Sequence, residues 1–412
     1  MSHFALSLKR FSRDTFSSFQ VRNYRLFYIG QIISTSGTFM QSIAQAWLVL
    51  EISHSGTALG IVSALQYIPV LLFGPLGGVA ADRFSKRKVL YFTQSTAGIL
   101  ALSLGILVAA NQVKLWMIFV LAFALGWVNV FDNPTRQTFV IEMVGEDKLR
   151  NAVTLYSSLI NLSRVIGPAI AGALIVFVGI APCFILNGIS YSAVIIMLTL
   201  MHTEELHLPP AAPKSKGQLR QGIQYVASTP LLRDTLLMLA IVGTFTFEFQ
   251  VSLPLMAQYT FNGDARSLAF LSGALGIGAV VGGLVVASQN RNTPSRLIVA
   301  SALFGVAVLG AALMPTLALS GIGLAMAGFC SIYYTSLGNS ILQLNSSPQM
   351  RGRVMSFWTI AFLGSTTIGG PVVGWFAEMA GARWGLGIGG IAALVAAGLG
   401  ALLFSRHPED LG

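Results

Sequence analysis

The chain has 412 residues, of which 54% are hydrophobic and only 10% are charged, and its formal net charge is +10. A soluble domain carries roughly 25% charged residues, so this chain has too few to build a water-facing surface. The composition excludes an ordinary soluble protein and predicts an all-α membrane protein.

Twelve apolar stretches are long enough to cross a bilayer, for which a helix needs about 20 predominantly apolar residues. In chain order they are 24–50, 57–81, 89–111, 114–138, 151–179, 181–201, 234–260, 267–288, 296–315, 317–344, 353–380 and 383–404. They predict a basic N-terminal arm (1–23), a first six-helix bundle (24–201), an inter-bundle loop (202–233), a second six-helix bundle (234–404) and a C-terminal tail (405–412).

The Lys and Arg residues distinguish the two sides of the membrane. Nearly all of the 25 lie in the arm, the tail or the loops on the side of the termini, including Lys9, Arg10, Arg13, Lys214, Lys216, Arg291 and Arg406. Only Lys114, Arg266 and Arg383 lie on the opposite side. Cytoplasmic loops are rich in Lys and Arg, so we predict a multi-pass protein of the bacterial inner membrane with both termini in the cytoplasm. Because the basic residues are not gathered on one face, we expect no nucleic-acid partner.

The two halves of the chain repeat each other. Each half has an arginine near the start of its fifth span, followed at the same spacing by a Gly-Pro pair. These residues are Arg150 with Gly167 and Pro168, and Arg353 with Gly370 and Pro371. Such a repeat predicts two pseudo-symmetric bundles with a substrate site between them near the bilayer midplane.

The connection after the second span carries Gly78, Asp82, Arg83, Arg87 and Lys88. This spacing resembles the cytoplasmic signature of the major facilitator superfamily, Gly-x-x-x-Asp-Arg-x-Gly-x-Arg-Arg, with Ser85 where the family has glycine. The resemblance implies the major facilitator fold, in which the second and eleventh helices meet. Asp82 would then pair with the start of the eleventh helix, near Arg351 or Arg353, and close the cytoplasmic side. The alternative is that these charges only set the topology.

The fifth span contains Gly167, Pro168 and Gly172, with Ser163 and Ala171 at two further positions. It is similar to the exporter signature Gly-x-x-x-Gly-Pro-x-x-Gly-Gly, and small residues of this kind allow close helix packing. The stretches 23–27, 132–137 and 351–356 resemble the superfamily branch that contains the enterobactin exporter and macrolide-efflux proteins. The resemblance implies an efflux antiporter that works by alternating access.

Two ionisable residues are predicted inside the membrane, where a charge costs roughly 2.5–3.5 kcal/mol and therefore needs a partner or a function. Glu248 lies in the seventh span with Thr244 and Ser252 at helical spacing. It is a candidate for proton coupling, for substrate binding or for a static structural role. Arg164 lies in the fifth span. It is a candidate counter-charge for an acidic substrate or a carboxylate, or a brace for backbone carbonyls near Pro168.

Further polar residues complete the predicted site. Candidate cavity residues are Gln41, Gln45, Asn161, Thr335 and Asn339. Asp132 and Arg136 form either a gate or a helix-end cap at the corner between the fourth and fifth spans.

No phosphate-binding loop, nucleophile–base pair or metal-binding cluster occurs in the sequence, so we expect neither an enzyme nor a bound cofactor. The leading hypothesis is a monomeric exporter of small amphipathic, drug- or siderophore-like molecules that is driven by a proton gradient. The alternatives are a proton-independent uniporter or lipid flippase of the same fold, and a non-transporting membrane assembly or sensor protein.

Overall fold

The computed structural model describes residues 17–207, 218–286, 293–347 and 350–405. Within these ranges the chain forms helices and no strand. Parts of the predicted basic arm, of the inter-bundle loop, of the connection between spans 8 and 9 and of the tail lie outside the described residues. These are Lys9, Arg10, Arg13, the loop segment 208–217 with Lys214 and Lys216, Arg291, and the tail from Arg406.

Eight spans are single helices. Span 1 is Arg22–Ser53, span 2 is Gly56–Arg83, span 3 is Lys86–Ala109, span 6 is Ala181–Leu200, span 8 is Ala265–Val286, span 9 is Pro294–Leu313, span 10 is Leu317–Leu344 and span 12 is Ala382–Phe404. A short amphipathic helix, Gln218–Ser228, precedes span 7.

The other four spans are irregular. Spans 4 and 5 lie within one helical stretch, Leu115–Phe177, which bends at Gly145. Span 7 consists of Pro230–Phe245 and Phe249–Leu255 and ends in a π-helical turn, Met256–Thr260. Span 11 consists of Arg351–Thr359, a π-helical turn at Ile360–Gly364, and Thr366–Ala380.

The predicted number of spans is confirmed. Ten helical stretches of the described residues are long and apolar enough to cross a membrane. One of them, Leu115–Phe177, holds both span 4 and span 5. Span 1 is not among the ten and carries many polar residues, yet it packs within the first bundle. The chain is therefore an all-α protein with twelve transmembrane helices.

The predicted end of span 4 at residue 138 is wrong, because the helix continues up to Gly145. Gly145 has φ 70° and ψ 177°, a conformation that is accessible to glycine and strained for other residues. The bend there separates the two spans, so the segment expected to be a loop is helical on both sides of a single glycine.

The packing has an approximate twofold repeat. In the first bundle, span 1 packs on span 6, span 2 on span 4 and span 3 on span 6; in the second, the equivalent pairs are spans 7 and 12, 8 and 10, and 9 and 12. Between the bundles, span 2 packs on span 11 and span 5 on span 8. The repeat relates span 2 to span 8 and span 11 to span 5, so the contact between spans 2 and 11 is equivalent to the contact between spans 8 and 5. This is expected for two pseudo-symmetric bundles.

We name the two faces of the molecule by their charge. The basic side carries both ends of the described chain, the turn between spans 2 and 3 and the connection between spans 6 and 7. The opposite side carries the turns that precede spans 2, 4, 6, 8, 10 and 12.

Candidate functional site

A cavity of about 310 Å³ lies between the two bundles. Side chains from spans 1, 5, 7, 8, 10 and 11 line it, so both bundles contribute. Five of these side chains are aromatic, namely Phe39, Phe247, Phe249, Trp358 and Phe362. A mostly apolar cavity with a few polar groups is the usual form of a small-molecule site.

Of the described residues that line this cavity, Arg164 is the only charged one. Its guanidinium lies over the Phe39 ring, 5.7 Å from the centroid. It makes no hydrogen bond or ion pair with any described residue, so the expected bracing of carbonyls near Pro168 is not formed. The remaining polar groups of the lining are uncharged: Ser42, Gln250, Ser272, Ser331 and Thr335.

Span 7 is broken next to the cavity, and Glu248 lies at the break. The helix ends at Phe245 and resumes at Phe249, and Glu248 between them has the non-helical ψ of 39°. Glu248 is only 2% exposed, and its Oε1 is buried without a hydrogen-bond partner. The side chain therefore lies behind the cavity wall that Phe247 and Phe249 form.

The carboxylate of Glu248 packs against span 11. A Cβ atom added at Gly369 would lie 3.0 Å from Oε1 of Glu248, so the absence of a side chain there makes room for the carboxylate. The hydroxyl group of Thr366, on the same helix, also interacts with it. The phenol of Tyr67, in span 2, interacts electrostatically with both Glu248 and Arg164. Glu248 thus lies where spans 2, 7 and 11 meet.

The hydroxyl groups of Thr244 and Ser252, which have helical spacing from Glu248, do not bond to its carboxylate. The Thr244 hydroxyl donates to the carbonyl of Ala240, and the Ser252 hydroxyl donates to the backbone carbonyl of Glu248. The break in span 7 interrupts the helix between these residues.

The bundles are in close contact in the half of the membrane nearer the opposite side. A Cβ atom at Gly60 would lie 2.2 Å from the carbonyl oxygen of Gly370, and one at Gly374 would lie 2.1 Å from that of Gly56. At the end of this contact, the Glu378 carboxylate accepts hydrogen bonds from the N-terminus of span 2. The cavity is therefore closed on this side.

Toward the basic side, span 2 has open space beside its glycines. A Cβ atom at Gly74 or at Gly78 would meet nothing within 4 Å. Asp82 and Arg83 are exposed, and Asp82 forms no ion pair with a described residue. Arg353 donates to Gln221 at 2.8 Å, so the expected closing contact between Asp82 and span 11 is absent in this conformation. The glycine of this region that packs closely is Gly77, whose Cβ position lies 1.8 Å from the Val130 carbonyl oxygen.

Asp132 and Arg136 form an ion pair inside the first bundle. Asp132 is 1% exposed and accepts hydrogen bonds from Thr93 and Gln94 of span 3, both at 2.7 Å. Arg136 also donates to Gln31 of span 1 at 3.0 Å. The expected helix-end cap is wrong, because span 4 continues beyond this pair, which ties spans 1, 3 and 4 together. The expected gate stays a prediction.

Arg87 also belongs to the first bundle. It donates to the hydroxyl of Tyr91 and to the carbonyl of Thr199, both at 3.2 Å. Its partners lie on spans 3 and 6, so in this conformation it makes no contact across the two bundles.

Of the five predicted cavity residues, only Thr335 lines the cavity. The amide group of Asn187 donates to Gln41 at 2.7 Å, and Gln41 and Gln45 face a small void inside the first bundle instead. Asn339 accepts a hydrogen bond from Gln343, and Asn161 lies near Gly283 of span 8.

The predicted packing glycines do make close helix contacts. A Cβ atom at Gly167 would lie 2.5 Å from the Cβ atom of Phe39 in span 1, and one at Gly172 would lie 2.5 Å from that of Ala269 in span 8. Pro168 follows Gly167 and lines the cavity. Gly370, which precedes Pro371, meets Gly60 of span 2.

Three groups were missed by the sequence analysis. Lys86 and Glu142 form a buried ion pair at 2.5 Å, and Glu378 joins the bundles on the opposite side. Trp358 lines the cavity with an Nε1 atom that has no hydrogen-bond partner. Rare charged residues near span ends could have drawn attention to the first two. Among the described residues no group of His, Cys, Asp and Glu could hold a metal ion.

The fold and the cavity define a secondary transporter of the major facilitator type. Residues 13–410 match the model of the family described as transmembrane secretion effector, MFS_3. The chain therefore belongs to this family of membrane transporters, which confirms both the predicted superfamily and the prediction that it is not an enzyme.

Curated relatives agree with this assignment. The chain is 23% identical over 335 residues to the staphyloferrin A transporter of Staphylococcus aureus, covering 81% of this chain and 84% of the relative. It is 25% identical to the multidrug efflux pump Tap of Mycolicibacterium fortuitum, covering 80% and 83%. It is also 25% identical to the enterobactin exporter EntS of Shigella flexneri, covering 86% and 85%.

Solved structures share the fold. A bacterial homologue of the human lysosomal transporter Spinster, in an inward-facing and unoccupied conformation, has a TM-score of 0.72 at 15% identity, covering 95% of this chain and 98% of that one. A POT family transporter in complex with 5-aminolevulinic acid has a TM-score of 0.73 at 12% identity, covering 94% and 96%.

Proposed function

We propose that this chain exports small amphipathic, drug- or siderophore-like molecules from the bacterial cytoplasm by alternating access. The observation that carries the proposal is the mostly apolar cavity between the bundles, closed on one side by the contact between spans 2 and 11. Relatives that include a staphyloferrin A transporter, an enterobactin exporter and a multidrug efflux pump support this class of cargo.

The proposal places the basic side in the cytoplasm of the inner membrane, with both termini there. The excess of Lys and Arg on that side supports this orientation. The conformation described here then takes up substrate from the cytoplasm. We propose a monomeric carrier, and the spread of the basic residues argues against a nucleic-acid partner.

We propose that inward proton movement drives export and that Glu248 carries the proton. Burying a carboxylate charge without a cation is costly, so Glu248 needs a proton while it lies unpaired behind the cavity wall. The break in span 7 places Glu248 at a point where the helix is not continuous, against the closely packed glycines of span 11. Proton release to the cytoplasm would then accompany substrate binding, and reprotonation would follow opening to the opposite side.

The test is uptake into everted membrane vesicles with an imposed pH gradient, acidic inside. The panel contains lipophilic cations such as ethidium and catecholate chelators such as 2,3-dihydroxybenzoyl-serine. The proteins compared are the unmodified chain, Glu248→Gln and the matched control Glu51→Gln, which removes an exposed carboxylate at the end of span 1. We expect gradient-dependent uptake that Glu248→Gln abolishes and Glu51→Gln leaves unchanged.

Two other results would count against the proposal. Equal uptake with and without the gradient in all three proteins would indicate a uniporter or flippase. Absence of uptake of every panel compound, with the protein present in the vesicles at the usual amount, would contradict export of this class of molecule.

A further inference from the structure

We infer that the central cavity binds its substrate as an anion, with the acidic group of an aromatic compound held by Arg164. This inference rests on the proposed function and deepens it, because the amphipathic cargo proposed above could equally be cationic or neutral.

The cavity wall is positively charged. Among the described residues that line it, Arg164 is the only charged one, and none carries a carboxylate. Glu248, in the neighbouring span 7, is 2% exposed and lies behind Phe247 and Phe249. A ligand in the cavity therefore meets a positive charge and no negative one.

Arg164 has no anionic partner and no hydrogen-bond partner among the described residues. Its guanidinium lies over the face of Phe39 and also interacts electrostatically with the Tyr67 phenol. An arginine inside the membrane is costly and normally pairs with another group. Its planar guanidinium suits a carboxylate or similar oxyanion, to which it can donate two parallel hydrogen bonds.

The aromatic lining gives the cavity a flat surface. Trp358 and Phe362 both line the cavity, and their rings are stacked at 5.5 Å with a 2° angle between them. A guanidinium in a cavity with such an aromatic surface suits an aromatic acid.

The test is equilibrium binding to the full chain in nanodiscs of zwitterionic lipid. The probes share one ring system and differ in charge: naphthalene-2-carboxylate, naphthalene-2-carboxamide and naphthalen-2-ylmethylammonium. We expect the unmodified protein to bind the carboxylate at least about tenfold more tightly than the amide, since a charge-assisted hydrogen bond is worth that ratio or more. The ammonium should bind more weakly than the amide.

The variants are Arg164→Gln, Arg164→Lys and Trp358→Phe. Arg164→Gln should lose the preference for the carboxylate and keep its affinity for the amide, which also shows that the variant is folded. Arg164→Lys should keep part of the preference. Trp358→Phe reduces the aromatic surface and should weaken binding of the carboxylate and the amide alike, without changing the preference between them.

The inference is overturned if the unmodified protein binds the ammonium or the amide as tightly as the carboxylate. It is also overturned if Arg164→Gln keeps the preference, or if the carboxylate shows no saturable binding. Binding does not depend on a gradient, so these results are independent of the vesicle experiment. Proton-driven transport of cations alone would leave the proposed export intact and reject only the anionic substrate.

Discussion

Glu378 of span 11 holds the N-terminus of span 2 through Thr57, whose backbone N–H and hydroxyl group both donate to its carboxylate, at 3.0 Å and 2.7 Å. The hydroxyl of Ser55 donates to the same carboxylate at 2.6 Å. A carboxylate at the positive end of a helix is favourable, and here the helix belongs to the other bundle. This contact exists only while the bundles are closed on the opposite side, so it stabilises that conformation relative to one that is open there.

The first prediction is that Glu378→Ala increases the population open to the opposite side. A cysteine placed at Ser272, in the cavity wall, reports this opening through labelling by a membrane-impermeant maleimide added outside intact cells. Cys183 and Cys330 are replaced beforehand. We expect several-fold faster labelling of Ser272→Cys with Glu378→Ala, and a smaller increase with Thr57→Val, which removes only one of the three donors. Unchanged labelling in both variants would show that the contact does not hold this side closed.

The second prediction concerns the glycine contact between spans 2 and 11. Gly60→Ala adds a methyl carbon whose position lies 2.2 Å from the Gly370 carbonyl oxygen. Both atoms are fixed to helix backbones, so the overlap is relieved only if the two helices move apart. Overpacking of this kind costs about 1–3 kcal/mol. We expect a lower midpoint of thermal unfolding in detergent, together with faster labelling of Ser272→Cys from outside.

The matched control is Gly74→Ala, in the same helix. A Cβ atom there meets nothing within 4 Å, and alanine is a better helix former than glycine by about 1 kcal/mol. It should leave the midpoint unchanged or raise it. Equal destabilisation by the two substitutions would mean that the close approach at Gly60 is not what matters.

These residues show where sequence reasoning succeeded and where it could not. Apolar length predicted the number of spans, and the repeated Gly-Pro pairs predicted close helix contacts, because both depend on local composition. The role of Glu378 could not be predicted, since its partner Thr57 is 321 residues away. The break at Glu248 contains neither proline nor glycine, so nothing local indicated that the helix stops there.

The sequence could not show whether a polar helix face points to the cavity or to the interior of its own bundle. Each helix of a bundle has one face toward the cavity and another toward its own bundle, and a polar stripe suits either. Gln41 bonds to Asn187 inside the first bundle, whereas Thr335 lines the cavity. Asp132 was placed at a helix end because span 4 was expected to stop at residue 138, whereas the helix continues to Gly145.

The third prediction concerns the buried pair formed by Asp132 and Arg136. Asp132→Ala leaves the Arg136 guanidinium without its anion and removes the acceptor for Thr93 and Gln94. Removing one partner of a buried ion pair costs about 3–5 kcal/mol. We expect a large fall in the thermal midpoint of the detergent-solubilised protein.

The double variant that also carries Arg136→Ala should lose less stability than the sum of the two single variants, because it leaves no unpaired charge. Asp82→Ala is the control, since Asp82 is exposed and has no ion-pair partner in this conformation. A fall in midpoint as large for Asp82→Ala as for Asp132→Ala would contradict a specific role of the buried pair.

The fourth prediction concerns Lys86 and Glu142, which join the start of span 3 to the last residues of span 4. Their side chains are 10% and 6% exposed, and the carbonyl of Glu142 also accepts the backbone N–H of His207 at 2.7 Å. The pair therefore connects three segments of the basic side.

We expect Lys86→Glu or Glu142→Lys alone to lower the thermal midpoint strongly, because each places two like charges in a buried site. The combined exchange should restore much of the loss, while Lys88→Glu, at an exposed position, should have little effect. Failure of the combined exchange to recover stability beyond either single variant would mean that the ion pair itself is not the stabilising contact.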